Sequence, residues 1–177
     1  MSLFEWLKEL ITGSWDRVKP WEILLPTEAG VVYRIGKFNR VIRCGFNLKW
    51  PIIESTHHTD VTLTTMPLEP QTLTTSDRKS IVVSSMLRYE IYDVKPYFTE
   101  IWDADNVLED VALSVIEDVI VNTDSNCVFL PEVEQKITRR IRHQVKEYGF
   151  RIHKFSFRER GFVRSFRFIT HPGFTEG

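Results

Sequence analysis

Cysteine is scarce in this chain. Cys44 and Cys127 are the two in 177 residues, too few for a disulfide framework and not spaced as metal ligands. Long apolar runs are missing as well. No stretch reaches 18 apolar residues, so no single helix is expected to span a bilayer. There is no Asn-x-Ser/Thr acceptor and no secretory signal with a small-residue cleavage site, which makes a reducing, cytoplasmic setting the default expectation. A Gly-rich phosphate loop, a nucleophile elbow and a convincing acid pair are all lacking. The five histidines (His57, His58, His143, His153 and His171) contain no pair spaced to meet on one helix face, and neighbours such as His57 and His58 point to opposite sides of a strand. Cys44 reads as a small packing residue. No cofactor and no metal are expected, and the chain does not read as an enzyme. Nor is there an excess of one charge. Net charge is −1 with 42% hydrophobic and 27% charged residues, so no partner is implied by overall electrostatics.

Periodicity is what the sequence has in quantity. Placed at about 100° per residue, Leu3, Phe4, Trp6, Leu7, Leu10, Ile11, Trp15 and Val18 share one half of a helical wheel over residues 2–19. Glu5, Lys8, Glu9, Thr12, Asp16 and Lys19 gather opposite, Pro20 ends the segment, and Trp21 lies just beyond. An amphipathic helix about 27 Å long, rich in aromatics, suits the membrane interface. Docking on its own domain or on a partner is the alternative. Next come strands over residues 23–38 and 47–53, and a third over 61–66 that Pro67 and Pro70 cut off. A fourth over 81–92 alternates, with Ile81, Val83, Leu87, Tyr89 and Ile91 on one side. The period then changes to three and four through Leu108, Val111, Ala112, Val115, Ile116, Val119 and Ile120, a helix with Asn106 as N-cap and Glu109 in capping-box position. Residues 122–126 form a loop. A second helix starts at Pro131, turns Val133, Ile137, Ile141 and Val145 inward, and ends at Gly149, and a strand returns over 151–157. The fold class is α+β: a mostly antiparallel sheet packed by two amphipathic helices.

Four stretches carry a family resemblance. Glu28-Ala-Gly-Val-Val-Tyr-Arg-Ile-Gly-Lys-Phe38 is followed by Cys44-Gly-Phe-Asn-Leu-Lys-Trp-Pro-Ile-Ile-Glu54, then by the Thr75-Ser-Asp77 turn with its long strand to Asp93, then by Glu147-Tyr-Gly-Phe-Arg-Ile-His-Lys-Phe-Ser156. In this order and spacing they resemble the SPFH family of stomatins, prohibitins and flotillins, over roughly residues 23–157. The resemblance implies a non-enzymatic membrane scaffold that assembles into rings or arcs and organises a membrane patch or restrains a membrane-bound AAA+ protease. It also implies attachment through an N-terminal hydrophobic segment, where this chain offers a short amphipathic helix instead. The family's long charged coiled coil is not seen before Gly177, so a minimal version is expected. Asp77 reads as a side-chain cap on its turn. The organisation expected is a membrane-associating helix (1–21), an SPFH/prohibitin-homology domain (22–157) and a basic-aromatic tail (158–177).

Charge is segregated along the chain. Residues 89–130 carry ten acids against Lys95 alone, and residues 131–177 carry eleven Lys/Arg against five acids. Two solvated faces of one domain would explain this. A head-to-tail contact between subunits would too, with Asp110, Glu117 and Asp118 meeting Arg139, Arg140 and Arg142 of a second copy. The expected partners are therefore membrane lipid on the cytoplasmic face, further copies of the chain, and a membrane protein such as a protease. Membrane association falls to Leu3, Phe4, Trp6, Leu7, Leu10, Ile11, Trp15 and Trp21. A soluble protein-binding adaptor is the runner-up. A single-stranded nucleic-acid binder, using arginines and phenylalanines of the tail, ranks third.

Overall fold

The computed structural model describes residues 20–163. Among them are eight strands and three α-helices in the order β1 (Trp21–Leu24), β2 (Glu28–Arg34), β3 (Lys37–Ile42), β4 (Gly45–Leu48), β5 (Glu54–Asp60), β6 (Thr64–Thr74), β7 (Ser80–Ile91), α1 (Val94–Thr99), α2 (Ala104–Val121), α3 (Pro131–Val145) and β8 (Phe150–Phe162). The strands form three antiparallel sheets: β1-β4, β3-β2-β5 and β6-β7-β8. This is the α+β architecture expected, with one helix more. The proposed N-terminal helix, with Leu3, Phe4, Trp6, Leu7, Leu10, Ile11 and Trp15, lies outside the described residues.

The main core forms where the long alternating strand meets the two periodic helices. Every odd residue of β7 from Ile81 to Ile91 is buried. Leu108, Ala112, Val115, Ile116, Val119 and Ile120 of α2 and Val133, Ile137, Ile141 and Val145 of α3 join them in one cluster, with Phe150, Ile152 and Phe155 of β8. Helix α2 packs on β6 and α3 on β8. Because β6 and β8 are the two edges of their sheet, the two helices lie side by side over opposite edges of it. A smaller cluster of Leu24, Val32 and Ile42 joins β1 to the β3-β2-β5 sheet. Val31 faces the main core and Val32 the small one, so strand β2 is covered on both sides.

Several boundaries differ from expectation, each for a local reason. Residues 23–38 are three strands, not one. A break falls at residues 25–27, and Ile35 (φ 49°) and Gly36 (φ 75°) make a two-residue hairpin turn between Arg34 and Lys37, which pair across it. The expected strand over 47–53 ends at Leu48, since residues 51–53 turn into β5, a strand the sequence did not reveal. Pro67 and Pro70 do not stop β6. It is an edge strand that shifts register between Leu68 and Gln71, and there the missing N–H groups are tolerated. Helix α2 begins at Ala104, not after Asn106: Asp103 is the N-cap and accepts from the Asn106 amide. The Glu109 carboxylate instead accepts from the Glu69 amide at 3.1 Å. Helix α1, capped by Asp93, was too short to show a period. Strand β8 continues past residue 157 to Phe162, so Arg158 and Arg160 pair with β7 or flank its bulge. Cys44 is exposed, not packed inside the domain.

Gly149 is fixed twice over. Its φ is +86°, and a Cβ there would sit 2.1 Å from the Asp93 carbonyl oxygen. Its own carbonyl accepts from the amides of Tyr92 (3.0 Å) and Asp93 (3.3 Å), which welds the end of the α3 segment to the end of β7.

Candidate membrane and assembly surfaces

The small β1-β4 sheet is apolar on the wrong side for a soluble fold. Its register sets Trp21 opposite Leu48 and Ile23 opposite Phe46, and with a two-residue period these four share one face. Leu24, on the other face, is the side chain that anchors the sheet to its domain. Ile23, Phe46 and Leu48 are 68%, 64% and 65% exposed. Trp50 and Ile52 continue the exposed apolar series in the following loop, and Ile35 stands beside it at the hairpin tip, its amide donating to the Ile53 carbonyl at 3.0 Å. An exposed apolar face of this kind is a candidate interaction surface.

A buried carboxylate holds this surface in shape. The Glu54 side chain is wholly inaccessible. It accepts from Arg34 Nη2 (2.7 Å) and Nε (3.1 Å), Asn39 Nδ2 (3.1 Å), Arg40 Nη1 (3.0 Å) and the Trp50 amide (3.1 Å). Arg40 also donates to the Leu48 carbonyl. One carboxylate thus ties β2 and β3 to the loop that presents Leu48 and Trp50. Beside it, Lys49 Nζ donates to Glu22 at 2.8 Å, and the Thr56 hydroxyl donates to the same carboxylate. Hydrogen bonding from Arg40 is the largest influence on Glu54. With Arg34 and the Trp50 amide it outweighs burial and holds the carboxyl at about 2, against an ordinary 4.5.

That depression has a direction. A carboxylate whose folded pKa lies below its unfolded one stabilises the fold above the unfolded value, and this contribution is lost as pH falls through the folded one. The stability difference between the protein and its Glu54→Gln variant is therefore expected to be constant from neutral pH to about 4.5. It should then shrink as pH falls towards 2. Thermal melts across this range check it: parallel curves would mean that the clasp is not ionic in the folded state.

Ile35 is itself a strained choice. Left-handed backbone disfavours a β-branched side chain, and Asn-Gly is the preferred pair for such a turn. Ile35→Asn is expected to stabilise the domain by about 1 kcal/mol while weakening whatever the apolar surface binds. Denaturant midpoints and a binding assay would read the two effects separately. A variant less stable than the parent would remove the argument for strain.

The Thr75-Ser-Asp77 turn is structural. Thr75 Oγ1 donates to Asp77 Oδ1 (2.6 Å), Ser125 Oγ to Asp77 Oδ2 (2.7 Å), and Lys79 Nζ lies 3.1 Å from Asp77 and 2.9 Å from Ser125 Oγ. The Thr75 and Ser125 hydroxyls hold the Asp77 carboxyl well below the usual range. Serine, lysine and aspartate at such distances invite a catalytic reading. Ser125 is fully buried, however, and both its hydroxyl contacts serve to pin this turn to the loop after α2. His57 packs edge-on to Tyr33, while His58 on the opposite side meets Glu22 at 3.5 Å.

The residues expected at a subunit interface divide in two. Asp110, Glu117 and Asp118 are exposed on α2, and Arg139 and Arg140 on α3. Asp118 and Arg140 meet within one chain at 3.8 Å, at the seam between the helices. Arg142 is occupied: its Nε and Nη2 donate to the Ile152 carbonyl at 3.1 and 2.9 Å. Trp21 sits on the outer face of β1. Glu54, Arg34 and Arg40 were missed as site residues, although Glu54 closes one of the motifs quoted above.

Comparison with known proteins matches residues 22–164 to the SPFH domain / Band 7 family, and the chain belongs to that family. An uncharacterised protein of Methanothermobacter thermautotrophicus is 35% identical over 75 residues, 42% of this chain and 24% of its own length. An uncharacterised protein of Methanocaldococcus jannaschii is 21% identical over 156 residues, 87% of this chain and 78% of that one. A putative band 7 family protein of Acanthamoeba polyphaga mimivirus is 28% identical over 128 residues, 72% of this chain and 40% of the viral protein. At the level of the family this is a stomatin-like scaffold, of a kind that is generally non-enzymatic and commonly membrane-associated. Among the described residues no helix is long and apolar enough to cross a membrane.

Proposed function

We propose that this chain is a peripheral membrane scaffold that lies on the cytoplasmic surface of a bilayer, self-assembles head to tail into arcs or rings, and organises a membrane patch or a membrane protein such as an AAA+ protease. The outward face of Trp21, Ile23, Phe46 and Leu48 carries this reading. It follows directly on the amphipathic pattern of residues 2–19, so two apolar surfaces adjoin in sequence, both rich in tryptophan and phenylalanine, side chains suited to headgroup depth. Around the ribbon Lys49 is paired with Glu22, and Arg34 and Arg40 with Glu54. Apolar burial, not attraction to anionic lipid, then supplies the affinity.

Flotation of the full chain with vesicles tests this. Neutral phosphatidylcholine vesicles should bind it nearly as well as vesicles containing anionic lipid, and raised salt should matter little. Light scattering in mild detergent should report an oligomer. Failure to float with either composition would give the apolar face to a protein partner, the adaptor reading.

A further inference from the structure

Trp102 stands alone. Its side chain is 101% exposed, in the short link between α1 and the Asp103 cap of α2. Tryptophan is highly buried on average, and its side chain brings roughly 150–250 Å² to whatever covers it. Glu100, Asp103 and Asp105, all exposed, surround it in sequence. It immediately precedes the Asp103 cap of α2, the helix that packs on β6. Between α3 and β8 lies a cavity of about 190 Å³ lined by Pro131, Glu134, Gln135, Thr138, Lys154 and Phe155. An apolar cavity of about 150 Å³ accommodates a benzene ring. Lys154 and Glu134 both line it, and Lys136, Arg139 and Arg140 add exposed positive charge farther along α3.

Part of the backbone edge of this sheet is already occupied within the chain. The outer edge of β8 is taken by a row of α3 side chains. Arg142 donates to the Ile152 carbonyl, Thr138 Oγ1 accepts from the Phe155 amide at 3.2 Å, and Glu134 Oε1 accepts from the Phe157 amide at 3.3 Å. The edge of β6 carries Pro67 and Pro70, and Glu109 takes the Glu69 amide between them. Strand addition is hindered along these stretches of both edges, which favours contact through side chains.

We infer that Trp102 is the anchor of a heterologous self-interface, inserting into the α3-β8 cavity of the next copy. The inference rests on the self-assembly part of the reading above and names the contact that would carry it. The knob leads into the helix over β6 and the socket lies under the helix over β8, so each copy offers both and the contact repeats head to tail. An acid-flanked tryptophan meeting the α3 side, where Lys136, Arg139, Arg140 and Lys154 outnumber Glu132 and Glu134, sets the orientation, since socket-to-socket approach brings that net positive charge together. A tryptophan buried at an interface centre is the commonest kind of residue to dominate affinity.

Two variants and their mixture test it in the full chain. Trp102→Ala removes the knob and Gln135→Trp fills the socket. Both positions are exposed, so melting temperature should hold while the concentration needed for assembly rises at least about 30-fold in each. Mixed, the two variants should form a two-chain complex and stop there, because only one intact knob and one intact socket remain between them. Unchanged assembly by Trp102→Ala, or a mixture that fails to pair, overturns the proposal. Loss of vesicle binding by Trp102→Ala at unchanged mass would give the tryptophan to lipid and overturn it equally. If the parent chain is itself monomeric at all concentrations, the self-assembly reading falls along with it. An oligomeric parent with an indifferent Trp102→Ala sinks this contact alone.

Discussion

Ile116→Ala and Ile141→Ala are each expected to destabilise the domain by about 2–5 kcal/mol. Both side chains are fully buried in the cluster that α2 and α3 share with β7 and β8. Truncation removes the transfer free energy of the lost groups and leaves a cavity that close-packed neighbours fill only in part. A domain of this size has about 5–15 kcal/mol in total, so either change would take a large share. Urea unfolding should show a lower midpoint with the same slope, the mark of lost stability without altered compactness. Val121→Ala, on the exposed side of α2, should stay within about 0.5 kcal/mol and serves as control. Equal effects from Val121 and Ile116 would mean that the helix is phased wrongly.

These two isoleucines belong to the part of the fold that the sequence made legible. Long periodic segments announce themselves, because burial of one face imposes a period of two on β7 and of 3.6 on α2 and α3. Every residue named for the core from those periods lies in or against the main cluster. The N-terminal half read less well, for reasons that lie in individual residues. Gly36 signalled a turn, but Ile35 occupies a turn position where propensity favours asparagine, so the sharp β2-β3 hairpin was merged into one strand. Pro67 and Pro70 break a central strand but not an edge strand, and edge status is a property of the sheet. Asp103 and Asn106 are both good caps, and Ala104 is too small to extend an apolar period visibly.

Function followed the same division. The family motifs were readable as a set, yet the role of Glu54 depends on partners 14 to 20 residues away in sequence, Arg40 and Arg34. Nothing in local spacing reveals a carboxylate shared by two strands and a loop. The outward turn of the β1-β4 face was equally hidden. Trp21, Ile23, Phe46 and Leu48 alternate as a buried face would, and only the pairing of two short strands shows which side Leu24 takes. Trp102 carried no signal, since a single aromatic after a helix is as often core as surface.

Ile23→Glu combined with Phe46→Glu is expected to abolish vesicle binding while leaving the fold intact. The two residues are directly paired on the outer face and are both about two-thirds exposed, so neither contributes much to the core. Burying a large apolar side chain is worth about 1.5–3 kcal/mol. Scaled to the surface still exposed, the pair supplies about 2–4 kcal/mol, between one and three orders of magnitude in partitioning. Placing two carboxylates at that depth adds a desolvation penalty in the same direction. The change also separates two possible anchors. If the segment over residues 2–19 holds the protein alone, Trp6→Glu with Leu10→Glu releases it and the β1-β4 double variant still floats. If the two surfaces act together, each double variant weakens binding by its own factor, and flotation at graded lipid concentration resolves the two contributions. Undiminished binding by the Ile23 and Phe46 variant, with an unchanged melting temperature, would remove the ribbon from the membrane and leave its apolar face to a protein partner.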